Sequence, residues 1–409
     1  MEASKILDHL VCRQVDARTE RKIQKILLLL LVGEFYGLNT LNSLLNSYDI
    51  QSNDYQKLWN KLSPQYLIGL MNNWLWDLFR EEFEKRLLQS GSTRSRQKLT
   101  IALDGSIFKQ WLTNERFGQY FAKFYSGQYG KAVYGFNLIL CGMVIGDVFY
   151  PLHFQLRKKE EKDVDIALKI LKRVQKKLAR IASDLNVELP TLYFTVDSGF
   201  RSKELVNFCQ AHHIIYIGVP KTTLKVEVNG KSLKIRNLKK EFVEKEALYY
   251  EQKGVDASPF TWRVRGILNC LDREVTLLLF RLKGSKKVSV IFSDNLEIKS
   301  KTLRRHWFER TKIELLFRLI KNNFKIQQTT VRNRLGFMKK LAFALVKSVY
   351  AQFFTQTVKK TVKKTDKQLQ RFGFEGIRKK LIFHQIGREI LDNLMYNHDL
   401  LHPAIVIKP

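Results

Sequence analysis

Three carboxylates define the chemistry open to this chain. Glu314 lies in the run Trp307-Phe-Glu-Arg310-Thr-Lys-Ile-Glu314-Leu-Leu-Phe-Arg318-Leu-Ile-Lys321. The run has neither Pro nor Gly and predicts one continuous α-helix. At about 100° per residue, Trp307, Arg310, Glu314, Arg318 and Lys321 share one narrow stripe. Ile313, Leu316, Phe317 and Ile320 form the neighbouring apolar stripe, which predicts the face that packs. Asp104 closes the apolar run Leu99–Leu103 and precedes Gly105-Ser106, and Asp197 closes Thr191–Val196 and precedes Ser198-Gly199. Each pattern predicts a buried strand that ends by presenting a carboxylate. Read singly, Glu314 is a salt-bridged surface residue and each aspartate a turn cap. Read together, they are oxygen donors of the kind that collect around a hard divalent cation.

The elements that must position them follow from the hydrophobic pattern. Residues 131–145 read as a long strand, Gly146-Asp147 as a hairpin turn, and 148–156 as its partner. A charged helix follows over 159–186, with Ile166, Leu168, Ile170, Leu171, Val174, Leu178 and Ile181 as its apolar positions. Then come the strand ending at Asp197, a helix over 203–212 and a strand over 214–219. The predicted order is three strands, helix, strand, helix, strand.

The spacing Trp307-x2-Arg310-x3-Glu314-x6-Lys321 resembles the Tyr-x2-Arg-x3-Glu-x6-Lys signature of IS4-type insertion-sequence DDE transposases. Leu103-Asp104-Gly105 and Val196-Asp197-Ser198-Gly199-Phe200 are similar to that family's two aspartate motifs, and the likeness spans roughly residues 96 to 350. Trp307 departs from the pattern, since it stands where the family has Tyr and lacks the hydroxyl. The resemblance implies an α/β RNase H-like catalytic core with a β-rich insertion, flanked by helical N- and C-terminal regions. In such a core the strands ending at Asp104 and Asp197 lie side by side.

The resemblance also implies the chemistry. Asp104, Asp197 and Glu314 would hold two Mg2+ ions, with Mn2+ as a substitute, for in-line phosphoryl transfer on DNA. Asp104 would bridge the two ions. Water would attack first at an element end, and the freed 3′-hydroxyl would then attack target DNA. Arg310 and Lys321, on the side of Glu314, are phosphate clamps by this reading, and Arg318 shares their stripe. Trp307 would stack on a displaced base. Lys321 as a plain surface lysine stays open, and Asp294 is the next candidate should Glu314 not be the third carboxylate. Terminal inverted repeats and target sites make double-stranded DNA the partner, and joining two ends implies a homodimer. A DNA-binding relative that no longer cuts, or an RNase H-like nuclease without strand transfer, are the competing readings.

Composition narrows the class. Among 409 residues, Lys+Arg 71 against Asp+Glu 39 gives a formal charge of +32, which points to a polyanionic partner. The apolar run 26–32 is far shorter than the roughly 20 residues of a spanning helix, which argues against a membrane. No signal peptide opens the chain, and Cys12, Cys141, Cys209 and Cys270 are too dispersed for a zinc site. A reducing, prokaryotic, nucleoid-associated cytoplasmic setting is the expectation.

Four regions are expected. Residues 1–95 are a helical N-terminal region, in which 41–45 opens either a helix-turn-helix or a plain bundle. Residues 96–220 and 287–354 form the catalytic domain, and 221–286 a β-rich insertion with an Asn229-Gly230 hairpin turn. Residues 355–409 form a basic helical C-terminal region, whose lysines between 359 and 367 track phosphates or simply face solvent. Within the insertion, Trp262 beside Arg263 and Arg265 reads either as a base-stacking group or as sheet core.

Overall fold

A computed structural model describes residues 64–89, 98–109, 115–127, 129–254, 258–282, 284–324, 326–328 and 334–361. The predicted helix-turn-helix and the basic run beyond residue 361 lie outside them. The frame is one eleven-stranded mixed sheet, in spatial order β2-β3-β1-β5-β6-β11-β10-β9-β7-β8, with β4 on the free part of β3. These strands are β1 Lys98–Lys109, β2 Phe121–Ser126, β3 Lys131–Ile145, β4 Val148–Leu156, β5 Thr191–Val196 and β6 Ile214–Gly218. The rest are β7 Lys225–Val228, β8 Lys231–Lys234, β9 Thr261–Leu268, β10 Arg273–Arg281 and β11 Val288–Ser293.

The core strands are apolar on both faces, as helix-covered strands must be. Leu99, Ile101, Ala102 and Leu103 of β1 and Phe194 and Val196 of β5 are all buried. Helix α2 (Asp163–Asp184) covers one face with the predicted apolar stripe and is tied by Asn137 Nδ2 donating to Asp163 Oδ1 at 3.4 Å. The opposite face is covered by α5 (Ser300–Glu309), α6 (Thr311–Arg318) and α7 (Arg334–Thr361), where Phe108 meets Phe317 and Phe337 edge-on. Helix α1 (Pro64–Gln89) packs on β4 through Phe79 against Tyr150. Helix α3 (Lys203–Ala211) links β5 to β6.

Four details differ from the expectation. The aromatic segment after β1 contains a further strand, β2, so four strands rather than three precede α2. Strand β1 does not end at Asp104; it continues to Lys109 because β3 is long enough to pair with it as far as Gly135. Residues 221–286 are not purely β-rich, since α4 (Ile235–Lys253) follows the predicted Asn229-Gly230 hairpin. That hairpin closes as expected, with positive φ at both Asn229 and Gly230. Finally, the run 307–321 is not one α-helix. The backbone stays right-handed helical at Arg310 but tightens there to i→i−3 hydrogen bonds, which divide α5 from α6, and Leu319–Asn323 widens into a π turn. Strands β9 and β10 join the main sheet through β11, which pairs antiparallel with β6.

Candidate active site

The two aspartates meet by register. The last parallel rung between β1 and β5 is Leu103 opposite Val196, so Asp104 and Asp197 are the next residue on each strand. Asp197 leads directly into a short 3-10 turn, Ser198–Phe200. Asp104 accepts the Gly105 N–H at 2.8 Å.

The third carboxylate, Glu314, arrives from 210 residues beyond Asp104. Helices α5 and α6 run alongside β1 in the same direction: His306 meets Thr100, Arg310 meets Asp104, and Phe317 meets Phe108. Thr100, Asp104 and Phe108 alternate onto one face of β1, which is why a single helical track can reach all three. Arg310 is the connector. Its Nη1 donates to Asp104 Oδ2 at 3.2 Å and its Nη2 to Glu314 Oε1 at 2.5 Å, while the guanidinium lies 4.5 Å from the Trp307 ring centroid. The Arg310 Nε is buried and makes no hydrogen bond.

Burial dominates the electrostatics. It raises the Asp104 carboxyl to about 7; Arg310 and the Gly105 N–H pull it back, and the charges of Asp197 and Glu314 push it further up. Asp104 therefore feels both of the other carboxylates. Burial lowers the Lys321 ammonium to about 8, opposed by Asp104, and the amine lies over the Phe108 ring at 5.2 Å. Ile313, Leu316, Phe317 and Ile320 are all buried, as the helical stripe required.

The donor set is all oxygen, which suits Mg2+ chemistry. Among the described residues no three His, Cys, Asp or Glu side chains stand together closely enough to hold one ion. Arg310 contacts both Asp104 and Glu314 with its two terminal nitrogens.

The other expected contacts divide. Trp307, Arg310 and Lys321 belong to this site, and Arg318 is exposed at the end of α6. Trp262 does not belong. It sits on β9, five strands along from β1, under Lys245 of α4 at 5.2 Å. Arg263 and Arg265 are both tied to the Leu296 carbonyl, and Arg265 also to Glu297 at 2.6 Å. Asp294 is engaged elsewhere: its Oδ1 accepts the Tyr216 N–H at 2.8 Å and fastens β11 to β6.

One functional cluster escaped the sequence reading. His306 is fully buried, with Nδ1 2.6 Å from Thr100 Oγ1 and 3.0 Å from Glu309 Oε2. The Thr100 hydroxyl also donates to Glu309, and Arg305 Nη2 approaches His306 Nε2 at 3.1 Å. Arginine only donates, so Nε2 accepts and the ring proton sits on Nδ1. Tyr193 of β5 stacks on the ring at 3.8 Å. Burial lowers the His306 pKa, which keeps the ring neutral. The cluster fixes α5 one turn before Arg310. Its only sequence signal is His-x2-Glu, offset from the stripe, together with a threonine in phase with Asp104.

None of the curated proteins matches the chain. A cryo-EM structure of the piggyBac transposase synaptic complex with hairpin DNA is similar at 12% identity, over 99% of this chain and 81% of that one, with a TM-score of 0.44. Residues 96–346, which hold both aspartates, Glu314 and the Arg310 fork, match the model of the transposase DDE domain, and the chain belongs to that family.

Proposed function

We propose that this chain is an IS4-type insertion-sequence transposase that cuts DNA at the element's ends and joins them to target DNA. Asp104, Asp197 and Glu314 are its catalytic carboxylates in this reading. The observation that carries it is the Arg310 fork, which ties the helix of Glu314 to the strand of Asp104, beside the rung that holds Asp197. Residues 96–220 and 287–354 then form the catalytic unit around the 221–286 insertion.

Asp104, Asp197 and Glu314 would hold two Mg2+ ions, or Mn2+ in their place. When bound, such ions lower the barrier to attack and stabilise the departing oxygen. The protein's own groups do the rest. Asp104 gives up the proton that burial holds on it up to about pH 7. Arg310, released from the carboxylates, turns its donors to a phosphate oxygen next to the scissile bond. Lys321 stays protonated at neutral pH and supplies a second positive charge beside Asp104. Once Arg310 has left it, the Trp307 face is open to a displaced base. Water is the first nucleophile and the freed 3′-hydroxyl the second, and two copies act together because two ends are joined.

The test is cleavage of a labelled duplex carrying the element's own terminal repeat, with Mg2+ or with EDTA, by wild type, Glu314→Gln and Asp104→Asn. Metal-dependent nicking at the end, lost in both variants with DNA binding retained, supports the proposal. Tight binding without cutting in the wild type replaces it with a non-catalytic DNA-binding role. Cutting without any strand-transfer product replaces it with a plain nuclease.

A further inference from the structure

The β2–β3 hairpin carries a feature that the carboxylate site does not explain. Its residues 121–135 hold three tyrosines and two lysines and no acidic residue. Tyr125 is 71% exposed, Tyr134 48% and Tyr129 38%, the only exposed tyrosines among the described residues. In a folded chain such rings normally turn inward, so three on one ribbon mark a contact surface.

Register places this surface. Asp104 pairs with Leu140, Phe108 with Phe136, Phe136 with Phe121, and Lys123 with Tyr134. Directly paired residues share a face, and alternate residues along a strand do too. Lys123, Tyr125 and Tyr134 therefore lie on the face of the sheet that carries Asp104, beyond the cover of α6 and α7. From Leu140 to Tyr134 is six residues of β3, roughly 20 Å of strand, or about six base pairs of duplex. The rings are held in place: Tyr134 stacks on Phe121 at 15°, Lys123 lies 6.0 Å from the Tyr134 centroid, and Lys109 lies 5.3 Å from that of Tyr129.

We propose that the exposed face of the β2–β3 hairpin is a DNA-binding platform that holds the duplex about six base pairs from the cleaved bond. It rests on the transposase reading above and adds a surface to it. Lys123 supplies charge for phosphates, the tyrosine hydroxyls donate to phosphate oxygens, and the rings lie against sugars or an unpaired base. The absence of any carboxylate on the ribbon is the charge complementarity this partner needs.

Two experiments with the full chain test it. First, p-benzoylphenylalanine replaces Tyr125, and the protein is irradiated on the labelled terminal-repeat duplex. A crosslink roughly six base pairs from the cut supports the platform, and cutting without any crosslink overturns it. Second, the pair Lys123→Glu and Tyr125→Ala is measured on a long duplex and on one truncated short of the hairpin. Affinity for the long duplex should fall about ten-fold or more and its salt dependence should weaken, with the short duplex bound as by wild type. Equal affinities for both proteins on both duplexes overturn the platform. A crosslink from position 125, with wild type never cutting the same duplex, sinks the transposase reading and leaves the platform standing.

Discussion

Asp104→Asn in the metal-free protein tests the electrostatics on which the site depends. Burial lifts this carboxyl from 3.8 to about 7 in the folded state. Between those values the folded chain holds a proton that the unfolded chain has lost. Stability is therefore complete below the unfolded value and falls as pH rises toward the folded one, by about 1.4 kcal/mol per pH unit. From about pH 4.5 to about pH 7 that loss comes to about 3 kcal/mol. Asparagine titrates in neither state and suffers no such loss. Urea unfolding in EDTA should show the stability of Asp104→Asn, relative to wild type, rising by about 3 kcal/mol over this range, since titrations of groups that do not sense Asp104 cancel in the difference. Excess Mg2+ at the higher pH should restore wild type and leave the variant unchanged, because a ligand specific to the folded state stabilises it. A difference that stays flat with pH, or that falls, would refute the claim that Asp104 sits buried and desolvated beside Asp197 and Glu314.

The remaining predictions concern what holds the site together. His306→Ala should lower unfolding stability by about 2 kcal/mol or more, by opening a cavity beside Tyr193 and removing one hydrogen-bond partner each from Thr100 and Glu309, and should slow cleavage while leaving DNA affinity unchanged. Unaltered cleavage by a folded His306→Ala would show that the cluster positions nothing. Asp294→Ala should cost about 1–3 kcal/mol by orphaning the Tyr216 N–H, measured by urea unfolding, with Mg2+ dependence of nicking preserved; loss of that dependence would return Asp294 to the candidate carboxylates. Gly142→Ala should be more damaging, by about 3 kcal/mol, because its new Cβ would lie 2.1 Å from the Tyr150 carbonyl oxygen at the β3–β4 register shift. A thermal midpoint equal to wild type would contradict that close approach.

Much of this protein was legible in the sequence because it is locally encoded. Strands β3, β4 and β5 fall on the predicted residues, since a buried strand writes an unbroken apolar run, and Gly146-Asp147 marks the β3–β4 turn as Asn229-Gly230 marks the β7–β8 turn. The buried stripe of α2 was readable from its 3.6-residue period. Helix α4 was not, because only Ile235, Leu238 and Phe242 of its nineteen residues are buried and the hairpin alternation runs straight into it. Strand β2 was not legible either, because only Ala122 and Phe124 mark its buried face in a stretch that also exposes Lys123 and Tyr125.

The sequence by itself determined that three carboxylates, one arginine and a lysine of this chain recur in the family's pattern. Only the tertiary structure decided what they do to one another. That Arg310 bridges Asp104 and Glu314, that Asp104 continues within a strand instead of ending one, and that His306 locks onto Thr100 all depend on α5 and α6 lying along β1. Such pairings span some two hundred residues, and burial, which sets the charge of Asp104, is a property of the packed helix and sheet together. No local pattern carries either.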